Sequence, residues 1–203
     1  GCPTEVAADL SLMALYDIAV LIDDSGTMQS REEGKRIPAL KKGLKVIAEM
    51  YSKLAYADDG ITPRGILAAR FLNHNRLRDD AARADNLTAV ALEELLQGHE
   101  FSGTTEIGTQ LKKRILKPLV YEKLSNEGMR RPLLIMVITD GKIEGEKDGV
   151  LENNIRACID HLKSLNKLHW VVFQFTRIGN DVHARRFLKD LKSKPIIKPY
   201  ISV

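Results

Sequence analysis

Short apolar runs alternate along this chain with longer stretches of helical periodicity. The first run, residues 15–22, is rich in Leu, Ile and Val and stops at Asp23-Asp24-Ser25-Gly26. A run that is apolar throughout predicts a strand covered on both faces. From Ile37 into the Tyr51 region, Leu40, Leu44, Ile47, Tyr51 and Leu54 fall on one stripe, which predicts an amphipathic helix. Pro38 suits the first turn of that helix, where its missing N–H costs nothing. A second run, 66–72, ends at Asn73-His74-Asn75 and is followed by a polar stretch, 75–86, read as a loop. A helix is expected over 87–96, stopped by Gly98. Ser102-Gly103-Thr104-Thr105 leads into another helix with Ile107, Leu111 and Ile115 inward, and Pro118 should kink or end it. A third run, 133–138, ends at Thr139-Asp140-Gly141. The helix expected over 151–165 turns Ile155, Cys158, Ile159 and Leu162 inward. A fourth run, 170–175, precedes a short helix with Ala184, Phe187, Leu188 and Leu191 on one side. The tail, 195–203, reads as an edge strand, since its two prolines argue against a central place.

Strands alternating with helices predict βαβ units and an α/β fold. The expected architecture is a doubly wound, mostly parallel, Rossmann-like sheet with helices on both faces and room for one short antiparallel edge strand. No repeat and no linker divides the chain, so residues 1–203 read as a single domain.

Composition adds exclusions more than positive evidence. Lys and Arg number 31 against 27 Asp and Glu, a net charge of +4 that is weak evidence for any partner. The basic stretch 35–45 carries its charges at helical spacing and reads as a solvated helix face. No aromatic residues interleave with it, so no nucleic-acid partner is expected. No apolar run is long enough for a bilayer, and no signal-peptide pattern opens the chain. The two cysteines form no disulfide framework, which fits an intracellular, cytoplasmic protein. Cys158 reads as a small core residue. The oligomeric state is left open.

The polar clusters at the strand ends carry the candidate chemistry. In open α/β sheets, ligands bind beyond the carboxyl ends of the strands, where strand order reverses. Asp23, Ser25 and Thr27 follow the first strand, Asp140 follows the third run, and Thr104 and Thr105 open a helix between them. Each offers oxygen and none offers sulfur or imidazole, which points to a hard cation. Mg²⁺ suits such a set, and the same oxygens would serve Mn²⁺ or Ca²⁺. With two carboxylates and three hydroxyls, one position would be left open to an outside ligand.

Asp23-Asp24-Ser25-Gly26-Thr27-Met28 after an apolar strand resembles the opening motif of the von Willebrand factor type A family. Gly103-Thr104-Thr105-Glu106-Ile107-Gly108 resembles its Gly-Thr motif, and Ile138-Thr139-Asp140-Gly141 its third motif. The resemblance covers nearly all of the chain. The stretch from Phe173-Gln174-Phe175 through Ile178-Gly179-Asn180-Asp181 is similar to the intracellular, fungal-like members. Together the three motifs of the family form a metal-ion-dependent adhesion site. The resemblance implies that Ser25 and Thr27 bind the metal directly and that Asp23 and Asp140 do so partly through water. Thr105 would bind directly or through water. Thr105 is favoured over Thr104 because the family often places a Thr three residues before a Gly, here Gly108; Thr104 could instead cap the helix. Asp24 is left as a supporting or turn residue. Thr27 stands where the family usually has Ser. The implied function is metal-dependent protein binding, the open position taking a carboxylate from a partner protein.

Rival readings have less behind them. Ser25 lacks the first Gly of a nucleophile elbow. An aspartyl-phosphate enzyme would need Asp at the place Ser25 holds. Residues 140–151 fail as a calcium loop, because Lys142 occupies a ligand position and Leu151 replaces the final Glu. The five histidines share no zinc spacing. A hydrolase using the same metal, or a scaffold that binds without metal, remain as the alternatives to a non-enzymatic binding domain.

Overall fold

The structure, a computed structural model, describes residues 13–73, 87–126, 128–141 and 143–203. His74, Lys142, Cys2 and the loop expected over 75–86 lie outside the described residues.

Five strands form one sheet: β1 (Asp17–Ile22), β2 (Ala68–Phe71), β3 (Leu133–Thr139), β4 (Val171–Arg177) and β5 (Ile201–Ser202). Their order is β2-β1-β3-β4-β5, and every pairing is parallel. The architecture is thus the α/β, doubly wound sheet expected. The helices are α1 (Gly26–Ser30), α2 (Arg36–Leu54), α3 (Ala89–Leu96), α4 (Ile107–Leu111), α5 (Glu122–Asn126), α6 (Val150–Ser164) and α7 (Val182–Ser193).

The alternation within the central strands explains the layers. Ile18, Val20 and Ile22 of β1, with Met136 and Ile138 of β3, face Met28 of α1, Leu40 and Leu44 of α2, and Leu92 and Leu95 of α3. Ala19 and Leu21, with Ile135, Val137, Phe173 and Phe175, face Ile107, Leu111, Ile155, Ile159 and Leu188 on the other side. Period-two alternation sends neighbouring side chains to opposite faces, so a strand covered twice must be apolar at every position. β1 is the clearest case, with all five residues from Ile18 to Ile22 fully buried.

Two expectations are corrected. The tail forms the edge strand expected of it, β5, but the short antiparallel edge strand is not found among the described residues: β5 is parallel to β4, because α7 carries the chain over the sheet and back in the sense of β4. Antiparallel pairing among the described residues is confined to isolated bridges. The helix that enters at Ile107, expected to kink or end at Pro118, does not end there. It widens into π-helical turns over Lys112–Tyr121, with Pro118 inside them, and continues into α5. Proline's ring normally collides with the carbonyl four residues back, and a turn wound with an extra residue relieves that crowding. Buried Ile115, Leu116, Leu119 and Val120 hold the segment on the sheet.

Cys158 lies on the buried face of α6, and burial pushes its thiol up to about 12. Alkylation of the native protein at pH 8 is expected to leave it unmodified. Peptide mapping should find it modified only after unfolding; rapid native labelling would contradict this packing. No described helix is long and apolar enough to cross a membrane.

Candidate functional site

β1 has β2 on one side and β3 on the other, so strand order reverses between β1 and β3. The crevice beyond their carboxyl ends is where an open α/β sheet receives a ligand. Asp23 and Asp140 enter it directly from these two strands. The Asp23 amide donates to the Ile138 carbonyl at 2.9 Å, extending the β1–β3 ladder to the edge of the site.

Four of the five candidate residues are joined by short contacts. Ser25 Oγ and Thr27 Oγ1 lie 3.0 Å apart, and Thr27 Oγ1 donates to Asp140 Oδ1 at 3.0 Å. Asp23 Oδ1 accepts from the Ser25 amide at 2.9 Å, and its Oδ2 accepts from Thr139 Oγ1 at 2.6 Å. Asp23, Ser25 and Asp140 are at most 1% exposed. Burial raises the Asp23 carboxyl above its usual range. Hydrogen bonds from Ser25 and Thr139 oppose that shift, and the neighbouring charge of Asp140 adds to it. Thr139, the last residue of β3, joins the candidate residues through this bond, although it is not one of the five.

The oxygen spacing, held here by hydrogen bonds among these groups, matches the ligand spacing of a small hard cation. Around Mg²⁺, with oxygens at about 2.0–2.1 Å in an octahedron, adjacent ligands lie about 3.0 Å apart. Both the Ser25–Thr27 and the Thr27–Asp140 separations are 3.0 Å. The donor set is hydroxyl and carboxylate; among the described residues no group of three or more His, Cys, Asp and Glu gathers as a metal site.

Thr105 is buried in the adjoining loop, where its backbone pairs with Glu144. Among the described residues, no hydrogen bond joins its hydroxyl to the other four. Thr104 is exposed and does not cap α4: its Oγ1 turns to Glu106 Oε1 at 3.3 Å. The first amides of α4 are instead held by Glu146, which accepts from Gly108 N at 2.8 Å and Thr109 N at 2.7 Å. A carboxylate there satisfies amides with no partner inside the helix and suits the helix dipole. Glu146→Ala is expected to cost about 1 kcal/mol in urea unfolding, the usual loss for a cap. Hydrogen exchange should then quicken at Gly108 and Thr109.

Asp24 supports the loop that carries Thr105. Its Oδ1 accepts from Asn73 N at 2.8 Å and from Asn73 Nδ2 at 3.1 Å, and Asn73 Nδ2 also donates to the Thr104 carbonyl at 2.9 Å. Asp24 Oδ2 lies 2.9 Å from His99 Nε2, and the His99 ring stacks on Phe71 at 3.6 Å. Both Asp24 and His99 have buried side chains.

One cation of the basic stretch is inside the site. Arg36, 3% exposed, donates through Nη1 to Asp140 Oδ2 and through Nη2 to Glu32 Oε1 at 2.8 Å. Burial works against its charge, but the two carboxylates outweigh burial and hold it more firmly protonated than usual. The other charges read as solvated are so: Lys35, Lys41, Lys42 and Lys45 are exposed. Glu32 and Glu33 adopt left-handed backbone at φ 54° and 55°, an unfavourable conformation for side-chain-bearing residues. Contacts hold this turn in place. Glu32 Oε1 accepts from Asn180 N at 2.9 Å, and Arg31 Nη1 pairs with Asp181 Oδ2 at 2.5 Å. Asp181 also caps α7, accepting from His183 N and Ala184 N, and these amides hold its carboxyl below the usual range.

No protein-family model matches this chain, and no curated protein matches it. Among solved structures it is similar to a von Willebrand factor type A protein from Catenulispora acidiphila, with TM-score 0.58, 18% identity and 93% of this chain covered. The chain spans 39% of the length of that protein. At that identity the likeness speaks to the fold, which is von Willebrand factor type A-like.

Proposed function

We propose that this domain binds a protein partner through a divalent metal, Mg²⁺ being the best fit, at a metal-ion-dependent adhesion site. The observation that carries the reading is the run of oxygens on Ser25, Thr27 and Asp140 at 3.0 Å spacing beyond the carboxyl ends of β1 and β3, with Ser25 and Asp140 buried and Thr27 partly so. Ser25 and Thr27 would supply neutral direct ligands, Asp140 and Asp23 the charge, partly through water, and Thr105 a further oxygen directly or through water. When bound, Mg²⁺ supplies a hard position that a carboxylate of the partner can complete. Thr139 and the Ser25 amide orient Asp23 through both of its oxygens, as supporting hydrogen bonds commonly do around metal ligands. The domain on this reading is a cytoplasmic interaction module, not an enzyme.

Calorimetric titration of the metal-free protein with Mg²⁺ and Mn²⁺, beside Asp23→Ala, tests the reading. Saturable one-to-one binding, lost in the variant with the fold retained, is the expected result. Equal metal binding by the variant would reject this site. Capture of partner by the variant at wild-type affinity, with no metal retained, would reject the mechanism.

A further inference from the structure

Arg36 lies outside every motif of the proposed metal site, yet it takes one oxygen of Asp140 while Thr27 takes the other. We propose that Arg36 is a tethered counter-cation that sets the metal affinity of the site, holding Asp140 Oδ2 in the metal-free protein and yielding it on loading. The proposal rests on reading this crevice as a metal centre.

Three observations support it. First, a guanidinium cannot be neutralised by losing a proton, so its positive charge beside Asp140 is permanent. Any divalent ion at the Ser25–Thr27–Asp140 oxygens must share a buried carboxylate with that charge. Second, Arg36 has a second carboxylate, Glu32, on its other nitrogen, so it keeps an ionic partner if it releases Asp140. Its Nε is buried and has no hydrogen-bond partner. The side chain is therefore incompletely satisfied where it sits, unlike a structural arginine with every donor used. Third, the slot is shaped for it. Gly179 packs so closely that a Cβ there would lie 2.6 Å from both Arg36 Nε and Glu32 Oε1. Gly179 has φ +81°, which a side chain would also strain.

Two like charges near one carboxylate oppose each other, so removing the tethered one should tighten metal binding. A purely structural arginine predicts the reverse, with metal affinity and stability falling together. The test is calorimetry of the full chain with Mg²⁺ for wild type, Arg36→Met, Arg36→Lys and Glu32→Gln, with circular dichroism to confirm folding. In Arg36→Met the Kd should fall about tenfold or more, and Arg36→Lys should stay within about threefold of wild type. Glu32→Gln leaves the guanidinium with Asp140 as its remaining carboxylate partner in this slot and should raise the Kd several-fold. Should Arg36→Met fail to fold, Glu32→Gln decides, and an unchanged or lower Kd there overturns the proposal. Wild-type binding with no tightening in folded Arg36→Met also overturns it while sparing the metal site. Binding by Arg36→Met where wild type shows none supports the proposal. Absence of binding in every protein rejects this proposal and the metal reading together.

Discussion

Replacing Asp23 by Asn is expected to remove Mg²⁺ binding while raising the melting temperature of the metal-free protein. Asn is nearly isosteric with Asp. Its carbonyl can still accept from the Ser25 amide, and its amide can face Thr139 Oγ1, whose hydroxyl reorients to accept. What disappears is a buried negative charge near Asp140. Burial already raises the Asp23 carboxyl above its unfolded value, so the metal-free fold holds that proton more tightly than the unfolded chain. Such a group destabilises the fold as pH rises from the unfolded pKa through the folded one, because the unfolded state then ionises first. The wild-type protein should lose this component over that window and Asp23→Asn should not. Mg²⁺ affinity should fall about a hundredfold or more, beyond the usual range for a supporting residue. Thermal melts of both proteins, with and without Mg²⁺ and across pH 4–7, would read both effects. A variant less stable than wild type without metal would show that Asp23 is held by net favourable interactions and not by the needs of a ligand.

The second large effect should come from Gly108→Ala, which lies outside the donor set. Gly108 opens α4 against the start of α6, where an added Cβ would lie 2.5 Å from Leu151 N and 2.6 Å from Leu151 Cα. Both are backbone atoms, so no rotamer change can relieve the collision. The two helices would have to separate, and Glu146 and Asn154, which hold Gly108 from the α6 side, would be drawn away. Overpacking of this kind should destabilise the protein by about 3 kcal/mol, at the upper end for an added methyl. Urea unfolding would measure it, and a loss under about 0.5 kcal/mol would mean that the two helices are not in such close contact. The spacing of Thr105 three residues before a glycine thus has a physical cause: the residue that follows the loop must let two helix starts touch.

The candidate residues that follow β1 were legible because they are local. Asp23, Ser25 and Thr27 share one turn, and strand ends are easy to find when the strands are wholly apolar. The partners that arrange them were hidden, because each is a tertiary match between distant positions. Arg36 sits among lysines at helical spacing, and its neighbours are solvated; only the end of β3 beside it distinguishes it. Asp24 looks like a turn residue until His99 and Asn73 arrive from elsewhere in the chain. Pro118 misleads in the same way. Its local rule is sound, but burial of its neighbours outweighs it and the backbone adapts by widening.

The central place of β1 has a consequence for how the protein is made. Thr27 and Asp140, which share a hydrogen bond, stand 113 positions apart. β1 can pair early with β2, but its other edge waits for β3, so closing the crevice needs a long loop to be brought together. Parallel pairings of such range are slow steps. During synthesis Asp23 emerges long before Asp140, so no Asp140 stands opposite it until the third strand has emerged and docked. On the metal reading proposed above, affinity for a cation would be a property of the finished fold, and an ion that binds only that fold would favour complete domains over fragments by mass action.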